Sequence, residues 1–124
     1  YWLSAIPFAA GIACINKMKK LNTPALFREK GLKVGEGLKA AAANNGFHLV
    51  VSGAPSLFKL RLADDDSLML HQDRGAEMAK RCIFITSHHN HFLNASLTDE
   101  DIAHTVDVAA AAFNTLRKNH PELA

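Results

Sequence analysis

Residues 47–62 read FHLVVSGAPSLFKLRL, and their hydrophobic period differs from that of the segments on either side. The first run, Phe47–Ser52, is short and β-branched, and the turn residues Gly-Ala-Pro at 53–55 close it. The second run, Ser56–Leu62, alternates between two faces, as a strand with one buried side does. Its two faces are Leu57, Lys59 and Arg61 against Phe58, Leu60 and Leu62. The sequence therefore predicts two antiparallel strands joined by a Gly-Pro turn.

Helical periodicity precedes this hairpin. Pro7 suits the first turn of a helix, and apolar residues then recur at intervals of three and four, at Phe8, Ile12, Ile15 and Met18. A second helix is predicted from Pro24, with Thr23 as its N-cap. Asn44-Asn45-Gly46 should end it, because Gly46 can adopt the left-handed cap conformation.

Three more elements are predicted after the hairpin. Leu68–Arg81 has helical spacing, and Cys82–Thr86 is predicted to be a third, central strand because its apolar character is continuous. Thr98 and Asp101 match a capping box that begins a last helix, which His120-Pro121 ends. The apolar face of this helix repeats at 3.6-residue spacing through Ile102, Val106, Ala109, Phe113 and Leu116.

Together these elements predict an α+β fold: a three-stranded antiparallel sheet covered on one side by helices and preceded by a long helix. The chain opens at Tyr1 inside an apolar, helix-like segment, with no initiator methionine and no basic leader. We therefore expect the sequence to be a piece of a larger polypeptide.

Composition excludes several classes of protein. Hydrophobic residues make up 48% of the chain and charged residues 21%, which excludes a disordered tail or a collagen-like repeat. The formal net charge is +2, so neither a nucleic-acid nor a membrane partner is predicted. Cys14 and Cys82 lie in apolar contexts without a CxxC partner. We therefore expect buried, reduced thiols in a cytoplasmic protein.

The densest polar cluster is Ser87-His88-His89-Asn90-His91, directly after the predicted third strand. Three interpretations are open: a metal site, a solvated polar loop, and a loop that faces a substrate or cofactor. Asp64-Asp65-Asp66 lacks the glycine and the alternating oxygen ligands of a calcium loop, so a solvated turn is expected there. Signatures such as GxSxG, HExxH and GxGxxG are absent.

Two segments nevertheless resemble one enzyme family. Residues 1–13, YWLSAIPFAAGIA, are similar to the stretch that follows the phosphate-contacting threonine in class-III pyridoxal-phosphate aminotransferases. Residues 84–102, FITSHHNHFLNASLTDEDI, are similar to the HHN-x-F … LT-x-x-D-I region of the same class. The strand pair between them also fits, so the resemblance covers essentially the whole chain. It is strongest to the branch that contains glutamate-1-semialdehyde aminomutase.

The resemblance implies a fold type I enzyme with pyridoxal 5′-phosphate as cofactor. Residues 1–21 would be the helix that connects to the large domain, and residues 22–124 the C-terminal small domain. In this family the Schiff-base lysine lies upstream, so no residue of this chain is expected to be catalytic and none to bind metal. The implied partners are the upstream large-domain polypeptide, a second subunit of a cytoplasmic homodimer, an amino donor and a keto or aldehyde acceptor.

Site residues follow from the matched positions. Near the cofactor phosphate of the neighbouring subunit, the resemblance places Tyr1, Trp2 and Ser4. Facing the substrate, it places His88, His89, Asn90 and His91, with His89 or Asn90 hydrogen-bonding a carboxylate or carbonyl. The aminomutase branch has an acidic residue in this loop, and its replacement here by His and Asn favours transamination.

The leading hypothesis is thus part of an aminotransferase, inactive by itself. The alternatives are a 2,1-aminomutase of the glutamate-1-semialdehyde type, a non-enzymatic α+β binding module, and a metal protein built on the histidine loop. An enzyme part should expose an apolar face on its first helix, whereas a free-standing module should fold well by itself. A metal protein should lose stability when chelator is added.

Overall fold

The computed structural model of the chain describes residues 3–63 and 65–121. The helices are α1 (Ala5–Leu21), α2 (Thr23–Ala43), α3 (Met69–Ala79) and α4 (Asp99–Asn119), and the strands are β1 (Leu49–Ala54), β2 (Leu57–Leu62) and β3 (His91–Phe92). The strands form one antiparallel sheet in the order β1-β2-β3. The α+β class and the three-stranded antiparallel sheet are therefore confirmed.

The β1–β2 hairpin lies where the alternation predicts it. Along β2, Phe58, Leu60 and Leu62 are buried while the intervening residues are exposed. β1 begins at Leu49, two residues later than predicted, because Phe47 completes the cap of α2. The N–H of Phe47 donates to Ala42 O and that of Gly46, at φ 78°, to Ala43 O, as in a Schellman motif.

The core lies between the sheet and the long helices α2 and α4, which pack against each other. Phe47 and Phe113 are in ring contact at its centre, with centroids 5.5 Å apart. The other buried apolar side chains come from α2, the hairpin, α3 and α4: Val34, Leu38, Leu49, Phe58, Leu60, Leu62, Met78, Ile102 and Leu116 among them. The sheet thus has one face against helices, as expected.

Helix α4 confirms the predicted capping box. The N–H of Asp101 donates to Thr98 Oγ1 at 3.1 Å, and the N–H of Thr98 donates to Asp101 Oδ2 at 2.8 Å. Four of the five residues on the predicted apolar face are buried, and Val106 is partly buried. The helix ends at Asn119, directly before His120-Pro121.

The predicted third strand over Cys82–Thr86 is wrong. Cys82 adopts a left-handed conformation, φ 63°, and closes α3 by a Schellman motif in which its N–H donates to Ala79 O and that of Ile83 to Met78 O. The chain then runs without ladder hydrogen bonds as far as β3, whose His91 and Phe92 pair with β2. The apolar run is explained by Ile83 and Ile85, which pack on the core from outside the sheet.

Two smaller predictions are also wrong. Thr23 is the first residue of α2 and not its N-cap, because Asn22, at φ 47°, both ends α1 and begins α2. Cys14 and Cys82 are exposed rather than buried. Their apolar neighbourhoods are misleading because Cys14 lies on α1, whose apolar side chains are themselves exposed.

Helix α1 contributes no buried residue to the fold. Its large apolar side chains are exposed: Ile6, Phe8, Ile12, Ile15, Met18 and Leu21, with Phe8 and Ile12 each at 61%. None of the helices within the described ranges has the length and apolar character that crossing a membrane requires. The leading helix is thus an apolar surface attached to an otherwise packed domain.

Candidate functional site

The histidine-rich loop, residues 87–91, borders a shallow cavity of about 550 Å³ next to α3. Small side chains on one face of α3 form its floor, at Gly75, Ala76 and Ala79. Helix α3 lies close to the segment that precedes the loop, because a β-carbon at Gly75 would lie 3.1 Å from Ile85 O. A second cavity of about 200 Å³ reaches Ser87 and His88 from the side of β2. The loop therefore lies between two concave surfaces.

The tip of the loop faces solvent. His88, His89 and Asn90 are exposed. Their hydrogen bonds stay within the loop: Ser87 Oγ pairs with His88 Nδ1, and His89 Nδ1 lies 3.2 Å from Asn90 O. Because these contacts use one nitrogen of each imidazole, the tip keeps donors and acceptors for a ligand.

His91 differs from the other loop residues because it belongs to β3 and turns inward. Its ring stacks on Phe58 at a centroid distance of 5.4 Å and an interplanar angle of 18°. Both ring nitrogens are buried, and neither has a hydrogen-bond partner of good geometry within residues 3–63 and 65–121. Burial lowers the pKa of His91 and the positive charge of Arg74 lowers it further, while the nearby backbone of Phe58 and Thr86 partly opposes the fall.

Behind the loop, α3 buries two polar residues that sequence analysis missed. His71 and Arg74 are fully buried, at 0% exposure. Arg74 Nη2 lies 3.4 Å from His71 Nε2, and Arg74 Nη1 donates to Met78 Sδ at 3.3 Å. The spacing 71, 74, 78 is the signal that could have placed them together, since residues three and four apart share one helix face.

Burial determines the charge state of this pair. It lowers the pKa of His71 to about 4, and the adjacent Arg74 adds to the effect. It also lowers the pKa of Arg74 to about 10. At neutral pH, His71 is therefore uncharged and Arg74 is a cation.

The acidic turn before α3 is only partly solvated, which corrects the expectation for residues 64–66. Asp65 is buried, and its carboxylate accepts hydrogen bonds from His71 N at 2.8 Å and from Ser67 Oγ at 2.9 Å. Asp66 is exposed, and Asp64 lies outside the described residues. Asp65 thus caps the first turn of α3, where a negative charge is favourable.

The residues expected near a cofactor phosphate lie at the start of α1. Ser4 is the N-cap of this helix, and its side-chain oxygen accepts from Ile6 N at 3.4 Å. Tyr1 and Trp2 lie outside the described residues.

The metal interpretation finds no geometric support in the part of the chain that the structure describes. Within residues 3–63 and 65–121, no group of three or more His, Cys, Asp or Glu side chains is arranged to hold a metal ion. His91, whose ring is turned inward, does not join His88 and His89 at the loop tip.

The fold and the loop define an α+β domain with a polar loop beside a cavity and an apolar leading helix. The chain is 24% identical over 123 residues, 99% of its length, to aminopentol aminotransferase of Sphingopyxis macrogoltabida. It is also similar to a solved structure, the PLP internal aldimine form of the FumI protein of Sphingopyxis sp. MTA144, with a TM-score of 0.88, 26% identity and 100% of the chain covered. No family model matches the chain.

The chain spans less than a third of these relatives, 29% of the enzyme and 31% of the solved chain. One relative is an aminotransferase and the other was solved with PLP, so the comparisons support the reaction class and the cofactor that the resemblance implied. The finer assignments concern the whole enzyme and are taken up as proposals.

Proposed function

We propose that this chain is the C-terminal small-domain part of a pyridoxal-phosphate-dependent aminotransferase. The observation that carries the proposal is the structural similarity over the entire chain to a protein solved with PLP, at a TM-score of 0.88. Within the class-III family, we assign the parent enzyme to a cytoplasmic homodimer that transfers an amino group from a donor to a keto or aldehyde acceptor. The lysine that carries the cofactor belongs to the upstream part, so the chain alone is inactive.

The exposed apolar side of α1 supports the domain division at residues 1–21 and 22–124. The domain after Leu21 has a core of its own, whereas no residue of α1 is buried. An apolar surface of this size is unfavourable in water and is typical of a surface that another part of a protein covers. We assign the covering part to the upstream large domain.

The start of α1 has the chemistry that a cofactor phosphate needs. Pyridoxal phosphate, when bound, supplies the electron sink for amino transfer. Ser4 offers a hydroxyl at a helix N-terminus, where free backbone N–H groups and the helix dipole favour an anion. The first turn of α1 contains no acidic residue that would oppose a phosphate. Ser4, with Tyr1 and Trp2 before it, is therefore assigned to the phosphate of the neighbouring subunit.

The loop is assigned to the substrate. His88 and His89 line the cavity, and Asn90 follows them at the exposed tip of the loop. Together they present imidazole and amide groups, which hydrogen-bond a carboxylate or a carbonyl. The fourth residue of the assignment, His91, stacks on Phe58 and holds the end of the loop on the sheet. Residues 87–92 include no acidic side chain, which favours transamination over the aminomutase reaction.

The decisive experiment uses the complete natural polypeptide that carries this chain. We expect it to purify with stoichiometric pyridoxal phosphate, to show the visible absorption of the bound cofactor, and to transfer nitrogen from an amine to a 2-oxo acid or an aldehyde. Colourless protein that neither binds pyridoxal phosphate nor transfers nitrogen would contradict the proposal.

Two alanine variants test the loop assignment. His89→Ala and Asn90→Ala should raise KM for the donor or the acceptor and leave cofactor absorbance unchanged. His104→Ala, an exposed histidine on α4, is the matched control and should change neither. Wild-type kinetics in both loop variants would show that the loop does not contact substrate.

A further inference from the structure

The smaller cavity, on the β2 side of the histidine-rich loop, is lined by groups that can hold an anion. Its volume is about 200 Å³. Lys59 and Arg61 line it from β2, and Ser87 and His88 line it from the loop. Its other lining residues are apolar, apart from Asp66 with its carboxylate. Cations and hydrogen-bond donors of these types recognise carboxylates and phosphates in proteins.

Lys59 and Arg61 project from the same face of the sheet, because alternate residues of a strand share a face. In β1, the residues paired with them are Ser52 and Val50, neither of which is charged. In the part of the chain that the structure describes, Lys59 forms no ion pair. Two cations therefore lie side by side at this wall of the cavity, and the neighbouring strand does not neutralise them.

Asp66 compensates for only part of this charge. Its Oδ1 lies 3.8 Å from Arg61 Nη2, which is too long for a hydrogen bond, and both side chains are exposed. Exposed ion pairs of this kind are weak because water and salt screen them. Among the lining residues that the structure describes, two cations thus face one carboxylate, and the cavity keeps a net positive charge of one.

His88 connects this cavity to the one beside α3, because it lines both. Its Nδ1 pairs with Ser87 Oγ. When the Ser87 hydroxyl donates to Nδ1, the neutral imidazole carries its proton on Nε2 and can donate it to an oxyanion. The loop thus adds a directed donor to the two cations of β2.

We propose that this cavity is a carboxylate-binding site, in which Arg61 and Lys59 hold the anion and His88 donates a hydrogen bond to it. A guanidinium presents two parallel N–H groups that match the two oxygens of a carboxylate, and an ammonium adds a point charge. One net positive charge balances a carboxylate, whereas a phosphate dianion would keep one charge uncompensated. The cavity is smaller than the roughly 300–1,000 Å³ of pockets that enclose a whole ligand, so it takes up one end of a molecule.

The source of this carboxylate rests on the proposed function. Because His88 also lines the cavity assigned to the substrate, a ligand whose one end reaches the two cations has its other end beside the loop. An aldehyde acceptor has no group that would use these cations, whereas a 2-oxo acid has a carboxylate. We therefore assign the amino acceptor to the 2-oxo acids.

Binding is tested first, in the complete natural polypeptide and without turnover. Acetate is added at constant ionic strength, and the histidine Cε1 signals are followed by NMR. The signal of His88 should shift and saturate with acetate, and Arg61→Met and Lys59→Met should each raise the acetate Kd about tenfold or more. Lys118→Met, at an exposed lysine of α4 that lines neither cavity, is the matched control and should leave the Kd unchanged.

Three results would overturn the carboxylate site. They are a His88 signal that acetate does not shift, an acetate Kd that either β2 variant leaves unchanged, and tighter binding of inorganic phosphate than of acetate. Lys59 and Arg61 are both exposed, so their replacement should not prevent folding, and circular dichroism checks that it does not.

The kinetic readout separates this inference from the proposed function. In Arg61→Met, KM for a 2-oxo acid acceptor should rise about tenfold, while KM for an aldehyde acceptor and kcat with either acceptor should change little. An unchanged KM for the 2-oxo acid, an equal rise with both acceptors, or a wild-type enzyme that uses aldehydes and no 2-oxo acid would overturn the assignment of the acceptor. Absence of amino transfer with any acceptor would refute the proposed function, and the acetate titration would still decide whether the carboxylate site exists.

Discussion

Gly31, on α2, lies directly against the carbonyl group of Pro55, in the turn between β1 and β2. A β-carbon at Gly31 would be 1.8 Å from Pro55 O and 2.4 Å from Pro55 C. Both neighbours are backbone atoms, so they cannot turn aside as a flexible side chain would. The hairpin therefore seats on α2 only because this helical position has no side chain.

Gly31→Ala should separate the helix from the hairpin. Alanine favours a helix over glycine by about 1 kcal/mol, but the clash forces a backbone shift, so we expect a net loss of about 2 kcal/mol or more, as for severe overpacking. Gly11→Ala is the matched control, because Gly11 is also helical and has nothing within 4 Å of the added carbon. Urea unfolding measures both. Equal stabilities in the two variants would show that the hairpin does not press on Gly31.

Thr98→Ala should destabilise α4 by about 1 kcal/mol, since it removes the N-cap acceptor. Hydrogen bonds from Thr98 lower the pKa of Asp101, so this carboxylate adds stability above its unfolded pKa, and the addition is lost as pH falls through the lower folded value. The difference between wild type and Thr98→Ala should therefore shrink in strong acid. Thr105→Ala, whose hydroxyl bonds within the helix at Asp101 O, is the control. A difference independent of pH would contradict the capping box.

Acid should destabilise the domain through His71. Its folded pKa is lowered to about 4 from 6.5, so the unfolded chain takes up the proton first. The contribution of His71 to stability is complete above about pH 6.5, falls as the pH drops towards 4 and is constant below that. His71→Gln should flatten this fall, with His91 responsible for what remains, whereas the exposed control His104→Gln should keep the wild-type slope. Urea unfolding between pH 4 and 7.5 measures how the free energy of unfolding depends on pH. An unchanged pH dependence in His71→Gln would refute the prediction.

Most of the fold can be predicted from local sequence patterns. The alternation along residues 57–62 and the reciprocal cap of Thr98 and Asp101 each depend on neighbours in sequence, and both are found as predicted. The prediction of a third strand was wrong because its apolar residues follow Cys82, a non-glycine residue in the left-handed conformation. Cysteine is not a residue type that favours this conformation, so the sequence of Cys82–Thr86 is typical of a ladder strand.

The sequence singles out the histidine-rich loop, but it does not reveal the polar residues buried behind that loop. Three histidines within four residues identify the loop in the sequence. Arg74 and His71 were not foreseen, since a cation on a helix is normally solvated and nothing local shows that this face of α3 turns inward. They are buried by the packing of α3 against the rest of the domain, chiefly α4, and sequence spacing alone does not reveal such a contact.

Cys82→Gly should stabilise the domain by about 1 kcal/mol, because glycine adopts the left-handed conformation without the strain that a β-carbon causes. Cys82→Ala is the control: it removes the thiol, keeps the β-carbon and should change little. Thermal unfolding under reducing conditions measures both variants. Equal midpoints for Cys82→Gly and Cys82→Ala would mean that the turn after α3 carries no backbone strain at φ 63°.

The last prediction concerns helix α1, whose apolar side chains are exposed whereas those of the core are buried. Ile12→Gln should leave the free energy of unfolding of the chain within about 0.5 kcal/mol of wild type and should reduce self-association in sedimentation velocity. Leu38→Ala, at a fully buried position, should cost about 2–5 kcal/mol. In the complete polypeptide, Ile12→Gln should instead lower stability, since there the upstream domain would cover Ile12. A loss in the isolated chain as large as that of Leu38→Ala would show that α1 packs into its own core and would contradict the domain division at residue 21.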